Sequence, residues 1–151
     1  MDFKTALGFG IVFVWLAFCF WFGHKDEQDR KNRIHDEVLL DTIKRRYADP
    51  KYDREILADA LAYDKSHREE VNRYKLVGYD NIARKLIKDS IIRHLMSGQY
   101  HTSRGFLNDK GEELLAWYKE EMEPDPWYDS ARREELNREM NSVISKIREI
   151  G

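Results

Sequence analysis

Residues 5–23 read TALGFGIVFVWLAFCFWFG, nineteen consecutive positions without a charge and nearly all large and apolar. Lys4 precedes the run, and His24-Lys25-Asp26-Glu27 closes it. As a helix rising 1.5 Å per residue it reaches roughly 28 Å, close to the ~30 Å hydrocarbon core of a bilayer. The rest is very polar: mean hydropathy over the whole chain is −0.74 even with this run included. The pattern predicts an all-α chain with one N-terminal transmembrane helix, a small helical domain and a C-terminal amphipathic helix. The expected segments are a flank at 1–4, the transmembrane helix at 5–23 and a juxtamembrane helix at 24–48. A helical domain at 49–123 follows, then a Pro-bounded linker and patterned helix at 124–151.

Two other readings of the first 23 residues are weaker. A cleavable signal needs a small-x-small cleavage site, whereas this run ends Cys-Phe-Trp-Phe-Gly-His. Leu16-Ala17-Phe18-Cys19 approaches a lipobox, but Phe18 stands where Gly, Ala or Ser belongs. A retained anchor is expected. Lys25, Arg30, Lys31 and Arg33 follow the run, and Lys44-Arg45-Arg46 lie just beyond, against Lys4 and the amine before it. The excess of positive charge predicts an inner or plasma membrane protein with a cytoplasmic C-terminal domain. The single cysteine, Cys19, lies inside the apolar run, so no intramolecular disulfide can form.

A net charge of −2 conceals an uneven layout. Residues 71–105 carry seven basic side chains against two acidic ones, and residues 106–151 carry seven against twelve. Such asymmetry suggests that the two stretches dock on each other or serve different partners.

Along the polar part, Ile34, Val38, Leu39, Ile43 and Tyr47 form a helical stripe that Asp49-Pro50 ends. Asp53 caps a helix burying Ile56, Leu57, Ala60 and Leu61. Ser66 with Glu69 reads as a capping box opening a helix with Val71 and Tyr74 inside, ending at Gly78. Asp80 is expected to cap a helix over 81–97, with Ile82, Leu86, Ile87, Ile91 and Leu95 inward and Gly98 as its stop. Residues 99–108, QYHTSRGFLN, break the pattern and are the one place open to a short hairpin. Asn108 or Asp109 starts a helix with Leu114, Leu115, Trp117 and Tyr118, and Pro124 and Pro126 bracket an acidic linker. In the last helix Leu136, Met140, Val143, Ile147 and Ile150 step by an a/d pattern. Two heptads are too short to be stable alone, so this seam must pack at home or on a partner.

No catalytic or metal-binding pattern emerges. His24, His35, His67, His94 and His101 have neither HExxH nor paired-ligand spacing. Glycines are dispersed, and no nucleophile motif is present. Glu69-Glu70 and Glu112-Glu113 read as solvated helix faces. A non-enzymatic protein is expected, without cofactor, metal or small-molecule substrate.

Arg84, Lys85, Lys88 and Arg93, followed by Arg104, form a basic patch suited to anionic lipid, the acidic tail or nucleic acid. The stretch SGQYHTSRGFLNDKGEELLAWY (97–118) resembles the end of a winged-helix domain, where a wing ending L-T-x-x-G leads into an L-L helix. Leu107 to Gly111 and Leu114-Leu115 take those places, with Asn108 where the family has Thr. The resemblance implies that helix 81–97 reads DNA and that its basic side chains meet phosphates. Three functions therefore stand. The first is membrane-anchored protein–protein interaction or self-association through Leu136, Met140, Val143, Ile147 and Ile150. The second is a membrane-tethered DNA-binding regulator with a winged-helix-like unit at 66–118. The third is an envelope or lysis-type protein with its domain outside the cytoplasm. The first is favoured.

Overall fold

The computed structural model describes residues 2–71 and 78–150. Its described residues form six helices and no strands: α1 (Phe3–Arg46), α2 (Arg54–Ser66), α3 (Arg68–Val71), α4 (Tyr79–Met96), α5 (Asp109–Glu121) and α6 (Ser130–Glu149). The all-α expectation holds. Two compact units divide at Asp41 and Thr42.

The first unit is helical from Phe3 onward. The apolar run and the polar stretch after it belong to a single helix of 44 residues. Its most apolar window has a mean hydropathy of 2.1, and none of that window is buried. One helix is therefore long and apolar enough to cross a membrane. The Phe18 and Phe22 rings meet at a tilt of 52° with centroids 4.9 Å apart, and the Lys25 ammonium lies 5.5 Å from the Trp21 ring at the run's polar end. Ile34 and Val38 of the anticipated stripe are exposed.

The second unit is built around α4, which packs against α2, α5 and α6. Ile82, Ala83, Leu86, Ile87, Ile91 and Leu95 are all buried, as their 3–4 spacing predicts. The large ones stabilise the fold by about 1.5–3 kcal/mol each. Leu114, Leu115, Trp117 and Tyr118 of α5 complete the core with Ile56, Leu57 and Ala60 of α2. The last turn of α1 adds Ile43, with Tyr47 just beyond it. Asp53 caps α2, accepting from the backbone amides of Glu55 and Ile56. Asn108 caps α5 through the Gly111 amide at 2.8 Å, and Asp129 caps α6 through that of Arg132.

Two expected caps fail for local reasons. Ser66 opens no helix: it ends α2, and its hydroxyl donates back to the Tyr63 carbonyl at 3.0 Å instead of accepting from a forward amide. The helix after it, α3, has only four residues, and Tyr74 lies outside the described residues. Asp80 lies inside the first turn of α4, whose cap position is Gly78. There its carboxylate favours the positive helix end without a capping bond.

The 99–108 segment becomes a tight loop with one antiparallel bridge between His101 and Leu107, short of a hairpin of strands. The Thr102 amide donates to Phe106 and the Asn108 amide to Tyr100, both at 2.7 Å. This loop presses on the start of α5 closely enough that a Cβ at Gly111 would meet Leu107 at 3.0 Å and Tyr100 at 3.1 Å. An added methyl there would make Leu107 and Tyr100 give way by a few tenths of an ångström.

Candidate interaction surfaces

The five seam residues of α6 divide along its length. Ile147 is fully buried, Leu136, Met140 and Val143 are half-buried, and Ile150 is 40% exposed. The His101 ring nitrogen Nε2 lies 2.9 Å from the Ile147 carbonyl, so the 99–108 loop holds the last turn of α6. Further back, the Glu139 carboxylate bears on Tyr118 and Lys88. Burial, with Glu139 and Asp89 near it, pushes the Tyr118 hydroxyl up to about 12. Of the seam, only Ile147 is thus closed at home; Leu136, Met140 and Val143 are covered in part, and Ile150 is exposed.

Of the basic patch, Arg84 and Arg93 pair across helices within the domain. Arg93 Nη2 lies 2.7 Å from Asp59 on α2, and its guanidinium covers the Tyr63 ring at 4.4 Å. The Ser90 hydroxyl also donates to that Asp59 oxygen at 2.7 Å. Burial works to raise the Asp59 carboxyl, but Arg93 and Ser90 outweigh it and hold it below the ordinary carboxylate value. Lys85 pairs with Asp89 one turn on, at 3.2 Å. Burial lowers the Lys88 ammonium, and Arg84 beside it adds to this. Arg104 stands apart in the exposed loop.

Arg84 points inward. Its Nη2 donates to the Glu121 carbonyl at 2.9 Å, and its Nε faces Glu121 Oε2 at 3.5 Å. Glu121 is nearly buried, with a side chain 4% exposed against 22% for Arg84. Trp117 Nε1 donates to its other oxygen at 3.4 Å. Tyr47 belongs to the same node: burial first, then the Glu121 charge, raise its hydroxyl well above the ordinary value. α4 is therefore the centre of a helical core with its arginines turned to acidic partners on α2 and α5. A DNA-reading helix needs the opposite, an exposed cationic row beside a stranded wing.

Sequence reading missed an aromatic cluster. Tyr52, on the turn before α2, lies 5.0 Å from Tyr47 and 4.9 Å from Trp117 between ring centroids, and Tyr47 lies 5.8 Å from Trp117. Tyr47 is sealed below, while Tyr52 and Trp117 floor an open groove of about 410 Å³. Tyr47 and Tyr52 straddle Asp49-Pro50, which marked a break between helices and nothing more. Only the fold brings Trp117, sixty-five positions on, beside them.

No protein family, curated protein or solved structure matches the chain.

Proposed function

We propose that the chain is a single-pass membrane protein whose cytoplasmic helical domain acts by binding other proteins, without catalysis. The observation that carries this reading is the pairing of an apolar helical run, wholly unburied, with a polar domain that closes its own core. Exposed side chains as large as Phe13, Trp15 and Phe20 are costly in water and stable in lipid. The half-covered Leu136–Met140–Val143 ridge on α6 supplies the apolar part of a contact, and Arg132, Glu135 and Arg138 supply its charged border.

The test uses the full chain in membranes. It should resist carbonate extraction, and reporter fusions at its C-terminus should report the cytoplasm. Leu136→Asp with Met140→Asp should abolish crosslinks to its partner while leaving the circular dichroism spectrum unchanged. Ile147→Asp is the contrasting variant, because that residue is buried: it should undock α6 and lower thermal stability by about 2–5 kcal/mol. Release of the chain by carbonate would refute the anchor, and unchanged crosslinks in the double variant would refute the ridge.

A further inference from the structure

The groove above Tyr52 and Trp117 already holds a cation. The Lys51 ammonium lies 4.9 Å from the Tyr52 ring centroid and 3.6 Å from Glu120 Oε1. The Tyr52 hydroxyl donates to that same carboxylate oxygen at 3.4 Å. An aromatic face and a carboxylate, joined to each other, thus receive one positive charge between them. Lys51 reaches this seat from a turn and stays 55% exposed, so little holds it there. The rim carries a surplus of negative charge. Lys110 is tied to Asp53 at 2.8 Å and faces Glu113 at 3.7 Å, leaving three carboxylates against two ammoniums with Glu120 and Lys51 counted. Leu114 and Ala116 extend the wall with apolar surface. At about 410 Å³ the space exceeds one ammonium and falls in the range of small-ligand sites.

We infer that this groove binds a small quaternary ammonium group, which displaces Lys51 from the Tyr52 face and takes the Glu120 carboxylate as counter-ion. A methylated ammonium suits the seat better than a primary one. It needs no hydrogen-bond acceptors, it is attracted by the ring quadrupole, and its methyl groups bury against Tyr52, Ala116 and the edge of Trp117. The Lys51 ammonium is held above its ordinary value, by the Tyr52 hydroxyl first and then the Glu120 carboxylate. Choline presents this chemistry both as a free molecule and as a lipid headgroup.

The experiment is calorimetric titration of the full chain, in a maltoside detergent, with choline chloride against a sodium chloride control. Saturable binding is expected. Glu120→Gln and Tyr52→Leu should each weaken it about tenfold or more. Lys51→Ala should strengthen it, by about threefold, because the resident competitor is gone. A damaged fold cannot produce that gain, so it separates a site from a structural effect. Added phosphatidylcholine vesicles should compete with choline if the headgroup is the ligand, with phosphatidylglycerol vesicles as the inert arm. Competition by neither assigns the seat to the free cation. Absence of saturable binding in both the unsubstituted chain and Lys51→Ala overturns the inference, as does weaker binding by Lys51→Ala.

Discussion

Arg84→Met is the perturbation that best separates a folding role for the basic residues from a binding role. Methionine keeps an unbranched apolar stem and removes the guanidinium. Glu121 then loses the cation 3.5 Å from Oε2 and the donor to its carbonyl at 2.9 Å, in a site where its side chain is only 4% exposed. Its remaining side-chain donor is the distant Trp117 Nε1 at 3.4 Å. Stranding one half of a buried pair costs about 3–5 kcal/mol. Arg84 is 22% exposed and its Nε contact is long, which puts this pair at the lower end, about 3 kcal/mol. For a domain of this size each 1 kcal/mol shifts Tm by about 4–8 °C, so a fall of at least about 10 °C is expected. The assay is thermal melting of the full chain in non-ionic detergent, followed by near-UV circular dichroism. Adding Glu121→Gln removes the stranded charge while keeping an acceptor for Trp117, and should restore most of the loss. Arg104→Met, in the exposed loop, should melt within about 2 °C of the unsubstituted chain, since surface changes stay within about 0.5 kcal/mol. A small shift in Arg84→Met, or no recovery with Glu121→Gln, would refute the reasoning.

Two further predictions concern the second unit. Asp53 and Asp59 both sit below the ordinary carboxylate value although burial opposes it, held there by Lys110 with two backbone amides and by Arg93 with Ser90. A depressed folded-state value adds stability above the unfolded value, near 3.9, and loses it as pH falls through the folded one. The melting gap between the unsubstituted chain and Asp59→Asn should therefore be widest near neutrality and shrink below about pH 4; a constant gap down to pH 3 counts against it. Gly98 has φ +80°, and a methyl group there would meet only Ile150 at 3.7 Å, an ordinary contact. Gly98→Ala should thus cost only the backbone strain, about 1 kcal/mol, with α6 still docked, and a loss beyond about 3 kcal/mol would point to a packing role instead.

What the sequence made legible was local. The Asp53 and Asn108 caps, the Gly98 stop and the inner face of α4 each depend on residues within a turn or two, where spacing and side-chain chemistry decide. The capping box at Ser66 shows the limit of such reasoning. A serine hydroxyl bonds backward as readily as forward, and here it turned back to Tyr63, three residues earlier. The basic patch shows a deeper limit. Arg84, Lys85, Lys88 and Arg93 look like one solvent face when written on a helix. Yet Arg84 finds its carboxylate thirty-seven positions on, and Arg93 finds its own thirty-four positions back. Charge along a chain does not say where charge ends up, because pairing is settled by which helices pack. The Tyr52–Trp117 groove was hidden for the same reason.

Tethering changes how much surface such a domain needs. A soluble adaptor must meet the whole entropic cost of association from its interface, and about 1,200 Å² or more is usual for a stable complex. A chain held in a bilayer meets its partners at a raised effective concentration, so a modest contact can be populated without being tight. The Leu136–Val143 ridge and the Tyr52–Trp117 groove are both modest, the first half-covered by its own domain and the second already holding a lysine. Neither would suit a protein diffusing freely at low concentration. On an anchored chain, partial self-coverage has a positive use: it keeps apolar surface from associating at random, and a ligand or partner need displace only a side chain or part of a helix face. On the proposed reading the anchor and the weak surfaces explain each other, and cutting the chain after Gly23 should leave a folded domain that no longer crosslinks at concentrations where the full chain does.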